Sequence, residues 1–105
     1  MADTLTRLEA TIASRTGADP ASSYVASLFA KGRGTIARKF GEEAVETIVA
    51  ALGEDKSALA GEAADTLFHL MILLADAGIR LADVLTILEQ REGTSGHDEK
   101  ANRPS

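Results

Sequence analysis

Glu43 with Glu46, and Glu62 with Asp65, form two acidic pairs, each at a spacing of three residues. Residues three apart on a helix lie one above the other on one side, so each pair can aim two carboxylates at one spot. If the two segments are helices joined by a short turn, four carboxylates can face one another. Such a cluster repels itself unless some members hold protons or a cation sits among them, and an all-oxygen site suits a hard ion such as Mg2+. His69 follows Asp65 by four residues and can hydrogen-bond back to it. It reads as a packed histidine supporting the site, because Mg2+ prefers oxygen to imidazole.

The elements that carry these residues can be read from the apolar period. In the third helix, expected from about Thr35 to Leu52 and ended by Gly53, Lys39, Glu42, Glu43 and Glu46 share one arc, with Phe40, Ala44, Ile48, Ala51 and Leu52 on the other side. Alone, this pattern reads as an ordinary amphipathic helix whose acidic stripe faces water; the next helix shifts the reading. A fourth helix is expected from about Asp55 to Ala77, capped by Asp55 and ended by Gly78. From Leu67 to Ala75 it is apolar all round apart from His69, as in a helix covered on every side. Glu62 and Asp65 lie on the side that continues as His69, Ile72 and Leu73, so they point toward a face that becomes buried. A buried carboxylate needs a metal ion or a basic partner, and Lys39 or Arg38 could supply the latter as a plain salt-bridge network.

Three shorter helices complete the pattern. The first is expected over residues 4–16, with Leu5, Leu8 and Ile12 on one stripe, Asp3 as its cap and Gly17 at its end. The second, capped by Ser22 or Ser23, carries Tyr24, Val25, Leu28 and Phe29 and stops near Gly32. The fifth, from about Leu81 to Glu92, puts Leu81, Val84, Leu85 and Leu88 on a stripe that should pack on the fourth helix or on another subunit. Lys31, Arg33, Arg38 and Lys39 make a basic island around the Gly32 to Gly34 segment, which reads either as a phosphate-binding edge or as a solvated loop. Residues 1–92 form one domain, and residues 93–105 turn polar without apolar period, as in a mobile tail.

The expected fold class is therefore all-α, a bundle of about five helices around two long antiparallel central ones, completed by homodimerisation. At 105 residues a lone fold of this kind would be marginal. The net charge of -5 excludes a general attraction to nucleic acid or anionic membranes, and zero cysteines exclude disulfides, thiolate metal sites and a cysteine nucleophile. The N-terminus lacks a signal-peptide pattern, and the longest unbroken apolar run, Leu70 to Ala75, is too short to cross a bilayer. A cytoplasmic location is expected.

The EExxE pattern at Glu42, Glu43 and Glu46, followed some fifteen residues later by ExxD at Glu62 and Asp65, resembles the motif of the all-α nucleoside triphosphate pyrophosphohydrolases. The strings SSYVASLFAKG, KFGEEAVET and GEAADTLFHL resemble the phosphoribosyl-ATP pyrophosphohydrolase branch, from about Leu5 to Leu88, and SGHDEKANRP is similar to that branch's C-terminal end. The resemblance implies Mg2+-dependent hydrolysis of phosphoribosyl-ATP to phosphoribosyl-AMP and pyrophosphate, the second step of histidine biosynthesis. It implies that Glu43, Glu46, Glu62 and Asp65 ligate Mg2+, and it makes Glu42 the candidate to orient or deprotonate the attacking water, a role it could exchange with a neighbour. Lys39 and Lys31 are the candidates to hold phosphate oxygens. Cleaving a phosphoanhydride needs charge neutralisation and an oriented water but no covalent nucleophile, which suits this chain. Two other readings remain open: a house-cleaning pyrophosphohydrolase of the same fold, separable by a substrate panel, and a non-catalytic helical dimer, which would be indifferent to Mg2+.

Overall fold

The computed structural model describes residues 2–92, with side chains from Thr4 onward. The polar tail and the side chain of Asp3 lie outside the described residues. Five helices follow in order: α1 (Ala2–Arg15), α2 (Tyr24–Lys31), α3 (Arg33–Leu52), α4 (Lys56–Asp76) and α5 (Leu81–Arg91), with no strand among the described residues.

The punctuation is local and chemical. Ser23 caps α2 by accepting from Ala26 N–H at 3.2 Å, and Asp55 caps α4 by accepting from the amides of Ser57 and Ala58 at 2.9 and 3.2 Å. Beyond α4, Gly78 takes φ +74, which lets its amide reach Ala75 O at 3.1 Å and the Ile79 amide reach Leu74 O at 2.9 Å. That is the left-handed stop for which glycine is suited. Gly32, at φ +95, makes the bend between α2 and α3. The basic island is less flexible than its glycines suggest, because Arg33 and Gly34 already belong to α3. Arg33 is occupied structurally, its Nε 2.7 Å from Asp76 Oδ2 and its Nη2 2.9 Å from the Asp76 carbonyl. It ties the start of α3 to the end of α4 and satisfies a carbonyl that the helix end leaves free.

This latch and the bond from Thr47 to the Glu62 carbonyl fix α3 and α4 as an antiparallel pair. The core sits at the latched end. Ile12, Val25, Leu28, Ile36, Met71, Ile72 and Leu81 form it, with Leu5, Leu8, Phe29 and Phe68 packed around them. Glu9 reaches from α1 to the start of α5, where its Oε2 accepts the Leu81 amide at 2.7 Å.

The other end of the pair is bare. Between Ile36 and His69 no residue is buried. The expectation that α4 is covered on every side holds, among the described residues, only for His69, Met71 and Ile72. Ile48 and Leu52, placed by the wheel opposite the acidic arc, are not inside either: they are 59% and 86% exposed, together with Val45 and Val49. On α5 only Leu81 is buried, and Leu85, Ile87 and Leu88 are exposed. The acidic side of α3 is the side turned toward α4. A helical wheel tells which residues share a face, but not which face a single chain turns inward.

α4 is also long and apolar enough, by length and composition, to cross a bilayer, a property that the search for an unbroken apolar run does not see. Within it, His69, Met71 and Ile72 are buried, and Glu62 and Asp65 meet Glu43 of α3.

Candidate metal and phosphate site

Where the covered end of the α3–α4 pair gives way to the bare end, Glu43, Glu62 and Asp65 come together. Each offers a carboxylate oxygen, and these oxygens all lie within 4.8 Å of one another. Glu43 reaches in from α3, and Glu62 and Asp65 from α4. Glu46, one turn further along α3, stands outside this trio but close enough to act on Glu62.

Glu62 carries the strain of the arrangement. Its Oε2 is buried without a hydrogen-bond partner among the described residues. Loss of hydration, then the charges of Glu46, Glu43 and Asp65, push its pKa above the ordinary glutamate value. One oxygen-seeking cation would answer both the orphaned atom and the repulsion, so the donor set fits a hard divalent metal ion.

Hydroxyl groups brace the site from behind. Thr47 follows Glu43 by one turn and Thr66 follows Glu62 by one turn; their Oγ1 atoms meet at 2.7 Å. Thr47 Oγ1 lies 2.9 Å from Glu43 O and 3.0 Å from Glu62 O, and Thr66 Oγ1 lies 2.9 Å from Glu62 O. Two hydroxyl protons cannot serve four contacts at once, so the bonds are shared. The clasp nonetheless holds the backbones under two cluster carboxylates at a fixed separation.

His69 also differs in detail from expectation. Its Nδ1 lies 2.8 Å from the backbone carbonyl of Asp65, not from the carboxylate. A carbonyl can only accept, so Nδ1 carries the proton and Nε2 is left to accept from the Tyr24 hydroxyl at 2.8 Å. Burial raises the Tyr24 pKa; Lys39 opposes this, and Glu43, Glu42 and Asp65 reinforce it.

Glu42 stands on the flank rather than in the cluster. Lys39 Nζ is 3.3 Å from its Oε1 and Arg38 Nε is 3.6 Å from its Oε2. The hydrogen bond to Glu42 raises the pKa of Lys39, keeping a full positive charge beside the carboxylates. Lys31, in the last turn of α2, is exposed and contacts none of these groups. Three residues escaped the sequence reading: Tyr24, Thr47 and Thr66. The threonines had a signal, since each repeats a carboxylate's face one turn on, whereas Tyr24 meets His69 across 45 residues with nothing local to announce it.

Comparison with known proteins now adds to this geometry. The family model of phosphoribosyl-ATP pyrophosphohydrolase matches residues 5–92. The chain belongs to that family. A phosphoribosyl-ATP pyrophosphatase of Rhizorhabdus wittichii is 62% identical over 104 residues, covering 99% of this chain and 98% of the relative. Those of Paramagnetospirillum magneticum and Zymomonas mobilis are 61% and 55% identical, each over at least nine-tenths of both chains.

The raised pKa of Glu62 gives this family member a testable pH dependence. Below the ordinary glutamate range the carboxyl is protonated whether the chain is folded or not. Between that range and the higher folded value, the folded state holds a proton that the unfolded state has lost, so stability falls as pH rises through the window. The thermal midpoint in chelator should decline across it, and Glu62→Gln should flatten the decline. A wild-type profile already flat there would discard this account of Glu62.

Proposed function

We propose that the protein hydrolyses phosphoribosyl-ATP to phosphoribosyl-AMP and pyrophosphate, with Mg2+ held by Glu43, Glu62 and Asp65 and by Glu46 beside them. The observation that carries the reading is the orphaned Glu62 Oε2 amid three further carboxylates, a donor set with no partner of its own, in a chain of this family. Mg2+ bound there would neutralise charge on the phosphate oxygens. The chain's own part is to fix the geometry through the threonine clasp and to place Lys39, with Lys31 further out, where a phosphate oxygen can meet an ammonium. Water oxygen bonds to phosphorus as the α,β bridging bond breaks, its electron pair leaves with pyrophosphate, and the water proton passes to a carboxylate. Glu42, on the cluster's flank and paired with two cations, is our candidate for that acceptor.

The working form is a homodimer in the cytoplasm, with residues 1–92 as the catalytic unit. Support for the dimer comes from the bare end of the α3–α4 pair, where Val45, Ile48, Val49 and Leu52 form an apolar ridge with none of the described residues over it. The experiment is pyrophosphate release from phosphoribosyl-ATP, with ATP and dCTP in parallel, each with Mg2+ and with excess chelator. Release that depends on Mg2+ and is confined to phosphoribosyl-ATP is expected. Release from the ordinary triphosphates instead would make this a house-cleaning enzyme of the same fold. Folded protein that releases none would sink the catalytic reading.

A further inference from the structure

The chain has four aromatic rings of the Phe, Tyr and Trp kind, and all lie among the described residues: Tyr24, Phe29, Phe40 and Phe68. The three phenylalanines are partly buried. Tyr24 alone is exposed, at 49%. An exposed tyrosine on a small bundle needs no explanation by itself, but this one is held in place by three contacts. Its hydroxyl donates to His69 Nε2, and His69 is bound in turn to the backbone of Asp65, a member of the carboxylate trio. Its ring stacks on Phe68 at 6.4 Å between centroids and 19° between planes, and His69 sets its edge against both rings at 5.8 and 5.3 Å. The phenol also feels the charges of Lys39, Glu43, Glu42 and Asp65. A half-open aromatic surface is thus fixed beside the place where the phosphates would be held, only two hydrogen bonds from Asp65.

We propose that Tyr24 is the seat of the adenine ring, which stacks on the exposed part of the phenol while the phosphates lie at the carboxylates. This rests on the phosphoribosyl-ATP reading above. Stacking fits the chemistry: a purine is flat and polarisable, and an aromatic side chain already locked in one orientation loses little freedom on binding it. The hydroxyl's work, in contrast, is internal, since its proton is given to His69. Ring and hydroxyl therefore have separable roles.

The composition supplies a direct probe. With one tyrosine and no tryptophan, Tyr24 is the sole source of intrinsic fluorescence above the phenylalanines. Titration of the wild-type protein with phosphoribosyl-AMP, the base-bearing product, should quench that emission, whereas Mg2+ with pyrophosphate should leave it nearly unchanged. In steady-state assays Tyr24→Leu should raise KM for phosphoribosyl-ATP about tenfold or more, the scale expected for a lost stacking contact, with inhibition by tripolyphosphate unaltered. Tyr24→Phe, which keeps the ring, should stay within about threefold of wild type in KM, the residual effect of one lost hydrogen bond. Hydrolysis without quenching, or a leucine variant that loses tripolyphosphate inhibition in step with KM, would overturn the seat and leave Tyr24 as packing. Quenching by phosphoribosyl-AMP without any hydrolysis would keep the seat and overturn the reaction instead.

Discussion

Asp65→Asn and Glu46→Gln are each expected to lower turnover of phosphoribosyl-ATP by about 100- to 1,000-fold, the scale seen when one pre-positioned charge-stabilising group is removed from an active site. Far-UV circular dichroism should hardly change, because Glu46 and Asp65 are exposed and their carboxylates make no hydrogen bond among the described residues. Glu62→Gln should lose activity on the same scale but move stability the other way. Its carboxylate is desolvated, carries an unpartnered oxygen and is crowded by three acidic neighbours. A neutral amide there relieves the metal-free protein, so its thermal midpoint in chelator should rise at neutral pH, while the gain from added Mg2+ should shrink. A function site paid for in stability is recognisable by that pair of opposite signs. Full turnover in both Asp65→Asn and Glu46→Gln would remove the metal site from the account.

The second large effect is on assembly. Ile48→Glu puts a charge in the middle of the exposed ridge of α3, where Ile48 and Leu52 stand 59% and 86% open. Covering one aliphatic side chain contributes roughly 1.5–3 kcal/mol relative to leaving it exposed, less for one already half covered. Four such residues on each chain give enough to hold two copies together after the cost of association. A carboxylate buried there without a partner would cancel that gain. Sedimentation equilibrium should show a wild-type dimer and a variant monomer at micromolar concentration. Turnover should fall in parallel, because Val45 on the ridge adjoins the turns that carry Glu42 and Glu46. A monomeric wild type, or a variant of unchanged mass, would sink the dimer.

Much of this was legible beforehand, for physical reasons that differ between parts. Caps and stops are local, so Ser23, Asp55 and Gly78 could be read from the chain. The existence and pairing of α3 and α4 followed from period and turn length. The start of α3 was misjudged by two residues because Gly34 looks like a loop residue, yet Arg33 gains a latch to Asp76 by being helical. The orientation of α3 was legible only in part: the acidic pairs could be read as facing α4, but the apolar arc, Ile48 and Leu52 included, also satisfies the usual rule for an inward face. That rule is broken here by a surface that the described residues leave open. At the site, the meeting of Glu43, Glu62 and Asp65 follows from two helical spacings and one turn. The bond made across the fold from Tyr24 to His69 depends on a third helix that spacing does not encode. Arg38 and Lys39, in contrast, draw Glu42 aside from four and three residues away within α3, a choice of rotamer among pairs that the spacing already allowed.

The antiparallel pair also sets an order of events in time. Its contacts open like a zipper from the turn at residues 53–55, with Thr47 meeting Glu62 across 15 residues and Arg33 meeting Asp76 across 43, while Glu9 finds Leu81 only across 72. Short loops close first, so the hairpin's like charges are brought together before the latch and before α1 docks. The repulsion at Glu62 is then met on the climb to the transition state, and a proton or cation captured there would speed the refolding limb of a chevron while leaving the unfolding limb nearly unchanged.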